Sequence, residues 1–208
     1  MIRLEIADGL WTVILDRPDK ANALTAAMLE DLARIVGEAH QAAAHALVIT
    51  GTGKVFSAGA DLEEARAGLA LSPLWERVSG AIAGLPCLTV AALNGTLAGG
   101  AFGMALACDL RLAVPGAGFF YPVMKLGFLP QPSDPARLAA LVGPARAKMI
   151  LMAGQRIQAE QALDWGLVDR IAAPEALLDT AAELTAPARA AAAGHVAAIK
   201  RFFPDPAG

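Results

Sequence analysis

The sequence predicts a single α/β domain, and three observations carry that expectation. Short apolar runs of β-forming residues alternate with stretches whose apolar residues recur at helical spacing. The connections between them are short, as in layered α/β folds. The second half of the chain turns mainly helical. At 208 residues the chain is long enough to bury a sizeable core within one domain.

Taken in order, residues 2–6 and 10–15 carry β-formers separated by Asp8-Gly9, a pair that favours a two-residue hairpin turn. Arg17-Pro18-Asp19-Lys20 reads as a loop. Thr25 is the expected N-cap of a helix running to about residue 42, with Met28, Leu29, Leu32, Ile35 and Val36 on its buried face. Residues 46–50 form a short buried strand. The turn Gly51-Thr52-Gly53 leads into an irregular stretch around residues 56–61. A helix over about 74–85 stops at Pro86, and residues 87–93 form another buried strand. Asn94-Gly95 and Gly99-Gly100 punctuate the chain before a helix over about 101–107. A strand over 110–114 and a turn at 116–118 follow. A loop then carries Pro122, Pro130, Pro132 and Pro135. Helices are expected at about 136–141, 145–152, 159–165, 175–184 and 188–202. No strong repeat stands out in the residues themselves. The domain core is expected over residues 1–185, with a C-terminal helical segment over 186–208.

Composition narrows the function. Hydrophobic residues make up 56 % of the chain, yet the longest apolar run, residues 81–93, is broken by Gly84 and Pro86 and is too short for a membrane span. Glu5 and Asp8 sit where a signal peptide would be apolar, so a cytoplasmic location is expected. The net charge of −3, without a basic patch and interleaved aromatics, argues against nucleic acid. Cys87 and Cys108 lie in apolar stretches and read as buried small hydrophobes. His40, His45 and His195 are scattered, with no metal-ligand spacing, so no metal is expected.

Two glycine-rich spots each follow a buried strand: Ser57-Ala58-Gly59-Ala60-Asp61 and Asn94-Gly95-Thr96-Leu97-Ala98-Gly99-Gly100. Small residues there let a ligand approach the main chain. The second spot opens a helix, whose free N–H groups face whatever binds. Two such donors converging on one oxygen make an oxyanion hole. Tight packing of strand on helix would explain either spot taken alone.

As a linked set, these segments resemble the crotonase (enoyl-CoA hydratase/isomerase) superfamily. Leu15-Asp16-Arg17-Pro18 with Asn22-Ala23-Leu24 is similar to its N-terminal signature. Val48-Ile49-Thr50-Gly51 with Phe56 to Leu62 is similar to its first oxyanion segment. Val90 to Gly95, Gly99-Gly100 and Cys108-Asp109 are similar to its second. Gly154 to Ile157, Ala159 to Ala162 and Gly166 to Asp169 are similar to a C-terminal run. The resemblance covers about residues 1–202. It implies a spiral of ββα units with two near-perpendicular sheets surrounded by helices, and a trimer or a dimer of trimers. It implies an acyl-CoA thioester as ligand, with coenzyme A as part of the substrate and no separate cofactor. Ala60 and Gly100 would then supply the oxyanion N–H groups, while Arg17, Lys20, Ala21 and Ala58 would line the CoA site.

The chain departs from that pattern where proton transfer is concerned. The two glutamates of the family's hydratases fall on Gly103 and Val123, and neither residue can move a proton. Ordinary two-glutamate hydration is therefore not expected. Gln131 and Asp134 are candidate polar helpers. Glutamine can donate or orient but not act as a base, and Ser133 or Asp134, before Pro135-Ala136-Arg137, reads first as a helix N-cap. Tyr121 and Trp75 read first as packing residues, and Glu63 and Glu64 as a solvated helix start. Two readings stay open: an enzyme working by oxyanion stabilisation, and a non-catalytic acyl-CoA-binding protein or partner subunit.

Overall fold

The computed structural model describes residues 1–192 and 194–208. The hairpin forms as the Asp8-Gly9 pair requires. β1 (Ile2–Ala7) and β2 (Leu10–Leu15) pair antiparallel with Ala7 opposite Leu10. Asp8 and Gly9 both take positive φ, 49° and 77°, the conformation a tight two-residue hairpin needs. α1 (Ala26–Gln41) starts at Thr25, whose side chain accepts from the Met28 N–H. Its Leu29, Leu32, Ile35 and Val36 are buried. Each such burial stabilises by roughly 1.5–3 kcal/mol.

From there the chain repeats one pattern three times. A strand enters a large sheet, a shorter strand enters a small sheet, and helix follows. The first turn is β3 (Ala46–Gly51), β4 (Val55–Ser57), then α2 (Leu62–Arg66) and α3 (Leu74–Ala83). The second is β5 (Leu88–Leu93), β6 (Thr96–Ala98) and α4 (Phe102–Ala107), the last preceded by a 3-10 turn at Gly99–Ala101. The third is β7 (Leu110–Ala113), β8 (Gly118–Phe120), then α5 (Val123–Leu126), α6 (Asp134–Val142) and α7 (Pro144–Leu151). β9 (Ile157–Gln158), α8 (Ala159–Trp165) and β10 (Arg170–Ile171) complete the sheets. The large sheet runs β1-β2-β3-β5-β7-β10 and the small one β4-β6-β8-β9. All pairings after the hairpin are parallel except β8 with β9. Parallel strands are buried on both faces, and β3 and β5 are correspondingly buried and mostly apolar.

The repeat is invisible in the residues because the small-sheet strands are only two or three residues long, too short for a period to register. The C-terminal helices also differ from expectation. α9 (Leu177–Ala190) runs on through Pro187, so residues 177–184 and the start of the next expected helix fall in one element. α10 (His195–Lys200) follows Gly194, whose φ of 79° breaks the helical path. Among the described residues, no helix is long and apolar enough to cross a membrane.

Candidate active site

Two of the spiral's turns place the glycine-rich segments side by side. A Cβ on Gly59 would stand 2.9 Å from the Ala98 carbonyl oxygen, 3.3 Å from Gly99 Cα and 3.4 Å from Gly100 N. The first segment therefore lies directly against the second, and Gly59, at φ 92°, allows it as a side chain would not. Ala58, Ala60, Gly99 and Gly100 form one wall of a cavity of about 110 Å³. Trp75, Tyr121, Val123, Phe128 and Gln131 help to enclose it. Trp75 covers Gly100, since a Cβ there would meet the indole at 3.3 Å. The indole itself is fixed by donating to the Leu69 carbonyl at 2.8 Å.

The first segment is held from three sides. The Ala58 N–H donates to Ala21 O, the Leu24 N–H to Gly59 O and the Asp61 N–H to Leu24 O. Buried Asn22 donates to the carbonyls of Thr52 and Val55 and accepts from the Arg17 N–H, while its own carbonyl accepts from the Ser57 hydroxyl. Asn94 accepts from the Gly51 N–H and donates to Gly53 O and Val55 O. The signature asparagines thus fasten the loop that leads into the cavity wall.

Of the residues expected at the CoA end, Ala58 lines the cavity. Lys20 is exposed. Arg17 is turned to Asp61 at 2.7 Å and to Ala23 O at 3.1 Å. This guanidinium holds the Asp61 carboxyl below the usual carboxylate range. Asp61 also caps α2 through the N–H groups of Glu63 and Glu64. Glu64 is not simply solvated: it accepts from the Ala26 N–H at 2.7 Å, satisfying one free donor at the start of α1. His40, His45 and His195 are exposed, and His45 pairs with the Arg189 carbonyl.

Gly103 and Val123, the positions without glutamate, differ in their surroundings. Val123 is buried in the cavity wall and adds only apolar surface. Gly103, on α4, faces a carboxylate: a Cβ there would lie 3.0 Å from Asp134 Oδ1 and 3.6 Å from Ser79 Cβ. The N-cap expectation for Asp134 is therefore corrected. Asp134 is the first residue of α6, fully buried, and Ser133 occupies the cap position without a side-chain cap bond. The Ser133 N–H and hydroxyl instead donate to Glu76 on α3. Freed from capping, the Asp134 side chain fills the space that glycine leaves at 103.

There, Asp134 Oδ2 accepts from the Tyr121 hydroxyl at 2.9 Å, and Oδ1 has no partner among the described residues. Burial pushes the Asp134 carboxyl up to about 7. The Tyr121 hydrogen bond opposes the rise, Glu76 adds to it and Arg137 opposes it. Burial, and then the charge of Asp134, raise the Tyr121 hydroxyl strongly. The Tyr121 oxygen also accepts from the Gln131 N–H at 3.3 Å, and the Gln131 side chain donates to Ala70 O. Tyr121 stacks on Phe102 with ring centres 5.4 Å apart. Sequence reasoning took Tyr121 and Asp134 one at a time, as packing and as a cap, and missed the pair. A clue was available: a glycine at 103 leaves a hole in a close-packed interior, which some other side chain has to fill.

A ββα spiral with a small apolar cavity walled by two abutting main-chain segments defines a class of α/β proteins built like the enoyl-CoA hydratases. Residues 5–207 match the family described as enoyl-CoA hydratase/isomerase. The carnitinyl-CoA dehydratase of Salmonella arizonae is 39 % identical over 212 residues, 97 % of this chain and 79 % of its own. YngF of Bacillus subtilis is 38 % identical over 182 residues, 84 % of this chain and 70 % of its own. The crystal structure of an enoyl-CoA hydratase from Bacillus anthracis superimposes with a TM-score of 0.89 at 31 % identity, covering 96 % of this chain and 81 % of that one. The chain belongs to the enoyl-CoA hydratase/isomerase family of the crotonase superfamily.

Proposed function

We propose that this protein is an enzyme on acyl-CoA thioesters that works by holding an enolate-type oxyanion, and that it does not hydrate enoyl-CoA by the two-glutamate route. The backbone N–H groups of Ala60 and Gly100 are the oxyanion donors in this reading. The observation that carries it is the packing of Gly59 against Ala98 and Gly100, which puts Ala60 and Gly100 on one wall of one cavity. One such donor contributes about 3 kcal/mol to transition-state stabilisation. The apolar enclosure of Trp75, Val123 and Phe128 suits an acyl chain and strengthens any hydrogen bond to the carbonyl by excluding water. Coenzyme A enters as part of the substrate, with Arg17, Lys20, Ala21 and Ala58 at its end of the site. A trimer, or a dimer of trimers, in the cytoplasm is the proposed setting, and sedimentation velocity checks the assembly.

Gly103 and Val123 support the exclusion of hydration, since neither can handle a proton. They equally favour the second reading, a non-catalytic acyl-CoA-binding protein or partner subunit. Raman difference spectroscopy of bound butyryl-CoA tests the oxyanion site: the thioester carbonyl stretch shifts to lower wavenumber if both donors engage it. A bound ester with an unshifted carbonyl refutes the site. Binding with a shifted carbonyl, but no turnover of any acyl-CoA in a broad panel, favours the second reading.

A further inference from the structure

We infer that the Tyr121 hydroxyl, backed by Asp134, is the proton-transfer group of this site and replaces the carboxylate absent from position 103. The inference rests on the acyl-CoA reading above and adds to it the group that moves the proton. Three features of the structure carry it. First, the carboxyl of Asp134 occupies the space beside Gly103, 3.0 Å from where a side chain there would begin. A carboxylate thus stands beside position 103, supplied from α6 and not from α4. Second, Asp134 does not itself line the cavity, but Tyr121 does, and the two are joined by a 2.9 Å hydrogen bond. Third, the bonding of the Tyr121 oxygen is incomplete. A phenol oxygen has one proton to give and two lone pairs to accept with. The proton goes to Asp134 and one lone pair is used by the Gln131 N–H, which leaves the other for a ligand.

A purely structural pair would be costly here. A fully buried carboxyl with one oxygen unpartnered loses stability that an apolar residue beside Gly103 would not lose. Buried groups of this kind, placed behind a cavity, are where proton-transfer chemistry is found.

The step balances as follows. An α C–H bond of the bound acyl group breaks, and its proton goes to the Tyr121 oxygen. In the same event the Tyr121 proton passes to Asp134 Oδ2. The C–H electron pair becomes the new Cα–C double bond, and the carbonyl pair moves onto the thioester oxygen, facing the Ala60 and Gly100 N–H groups. Because the phenol proton leaves as the new one arrives, no free tyrosinate forms. The reverse step restores the ester, so in heavy water the α position takes up deuterium. Asp134 must be ionised to accept, so exchange rises with pH through the region of about 7 where the buried carboxyl titrates. The charged and titratable groups that set that region are Tyr121, Glu76 from α3 and Arg137 from α6.

The experiment uses the full chain and butyryl-CoA in deuterium oxide, with α exchange followed by NMR and binding by calorimetry. Wild type is expected to bind and to exchange. Tyr121→Phe and Asp134→Asn should keep Kd within about threefold and lose at least about 100-fold in exchange, the usual size of a general acid–base contribution. The rising pH limb should vanish in Asp134→Asn, a change that a merely structural role would not produce. If Tyr121→Phe does not fold, the rate and pH profile of Asp134→Asn decide alone. Exchange at the wild-type rate in a folded variant, or binding without exchange in wild type, overturns this inference and leaves the oxyanion reading standing. Failure of wild type to bind butyryl-CoA overturns both.

Discussion

Replacing Asp134 by asparagine should make the protein more stable relative to wild type as pH rises, and the structure sets the size of the effect. The carboxyl is fully buried, and its pKa is pushed from the ordinary 3.8 to about 7, first of all by burial. Between those pH values the folded state holds a proton that the unfolded state has released. Wild-type stability therefore falls as pH climbs from about 4 to about 7, and the full penalty persists above that. At 1.36 kcal/mol per pH unit the total is about 4 kcal/mol. Asparagine never ionises, so the Asp134→Asn variant escapes this loss. It keeps an acceptor for the Tyr121 hydroxyl but buries an amide N–H₂ with no evident acceptor, at a cost of roughly 1–3 kcal/mol that does not depend on pH. The variant should thus be no more stable than wild type at pH 4 and clearly more stable at pH 8. For a chain of this size, about 4 kcal/mol corresponds to a relative Tm change of roughly 8–16 °C between the two pH values. Paired urea titrations and calorimetric melts of the two proteins from pH 4 to 8 measure it. A wild-type-to-variant difference that stays flat across that range would refute the burial argument, and with it the account of what fills the space beside Gly103.

Three further outcomes follow from the same geometry. Gly103→Glu alone should destabilise by about 2–4 kcal/mol, because its Cβ would begin 3.0 Å from Asp134 Oδ1 and bring a second buried carboxylate; adding Asp134→Gly should recover most of that loss in urea titrations. Gly59→Ala forces a Cβ to 2.9 Å from the Ala98 carbonyl at a φ of 92°, so a loss of about 2–4 kcal/mol is expected. In calorimetry, Gly59→Ala should weaken butyryl-CoA binding by more than tenfold. Asn22→Ala strands the Thr52 carbonyl and the Arg17 N–H and leaves the Val55 carbonyl only its 3.3 Å bond from Asn94, costing about 3 kcal/mol, with faster hydrogen exchange across residues 51–58 as the local readout.

The sequence made the fold legible where elements are long or their chemistry is local. The Asp8-Gly9 hairpin and the Thr25 cap are set by near neighbours, and β3 and β5 are long enough to show as apolar runs. The small sheet was not legible, because β4, β6, β8 and β9 are two or three residues long and owe their existence to tertiary pairing. α9 crosses Pro187 where a local reading stops and restarts a helix, a case of packing overriding propensity. In the site, glycine and asparagine motifs located the two wall segments, because close main-chain approach demands particular small residues. The Tyr121–Asp134 contact spans thirteen residues, from the loop after β8 to the start of α6, and Asp134 stands in a setting that suits a cap equally well. Only the space beside Gly103 decides between the two roles.

The fastening of the 51–57 loop by Asn22 and Asn94 bears on how such proteins are to be sorted by reaction. Both amides spend their bonds on backbone, and neither residue lines the cavity. These two residues, part of what makes the chain recognisable, therefore hold its shape. A lineage could change what it does to a thioester while keeping both of those residues. Kinship read from them vouches for a mould, and each member's chemistry has to be established from what lines its interior.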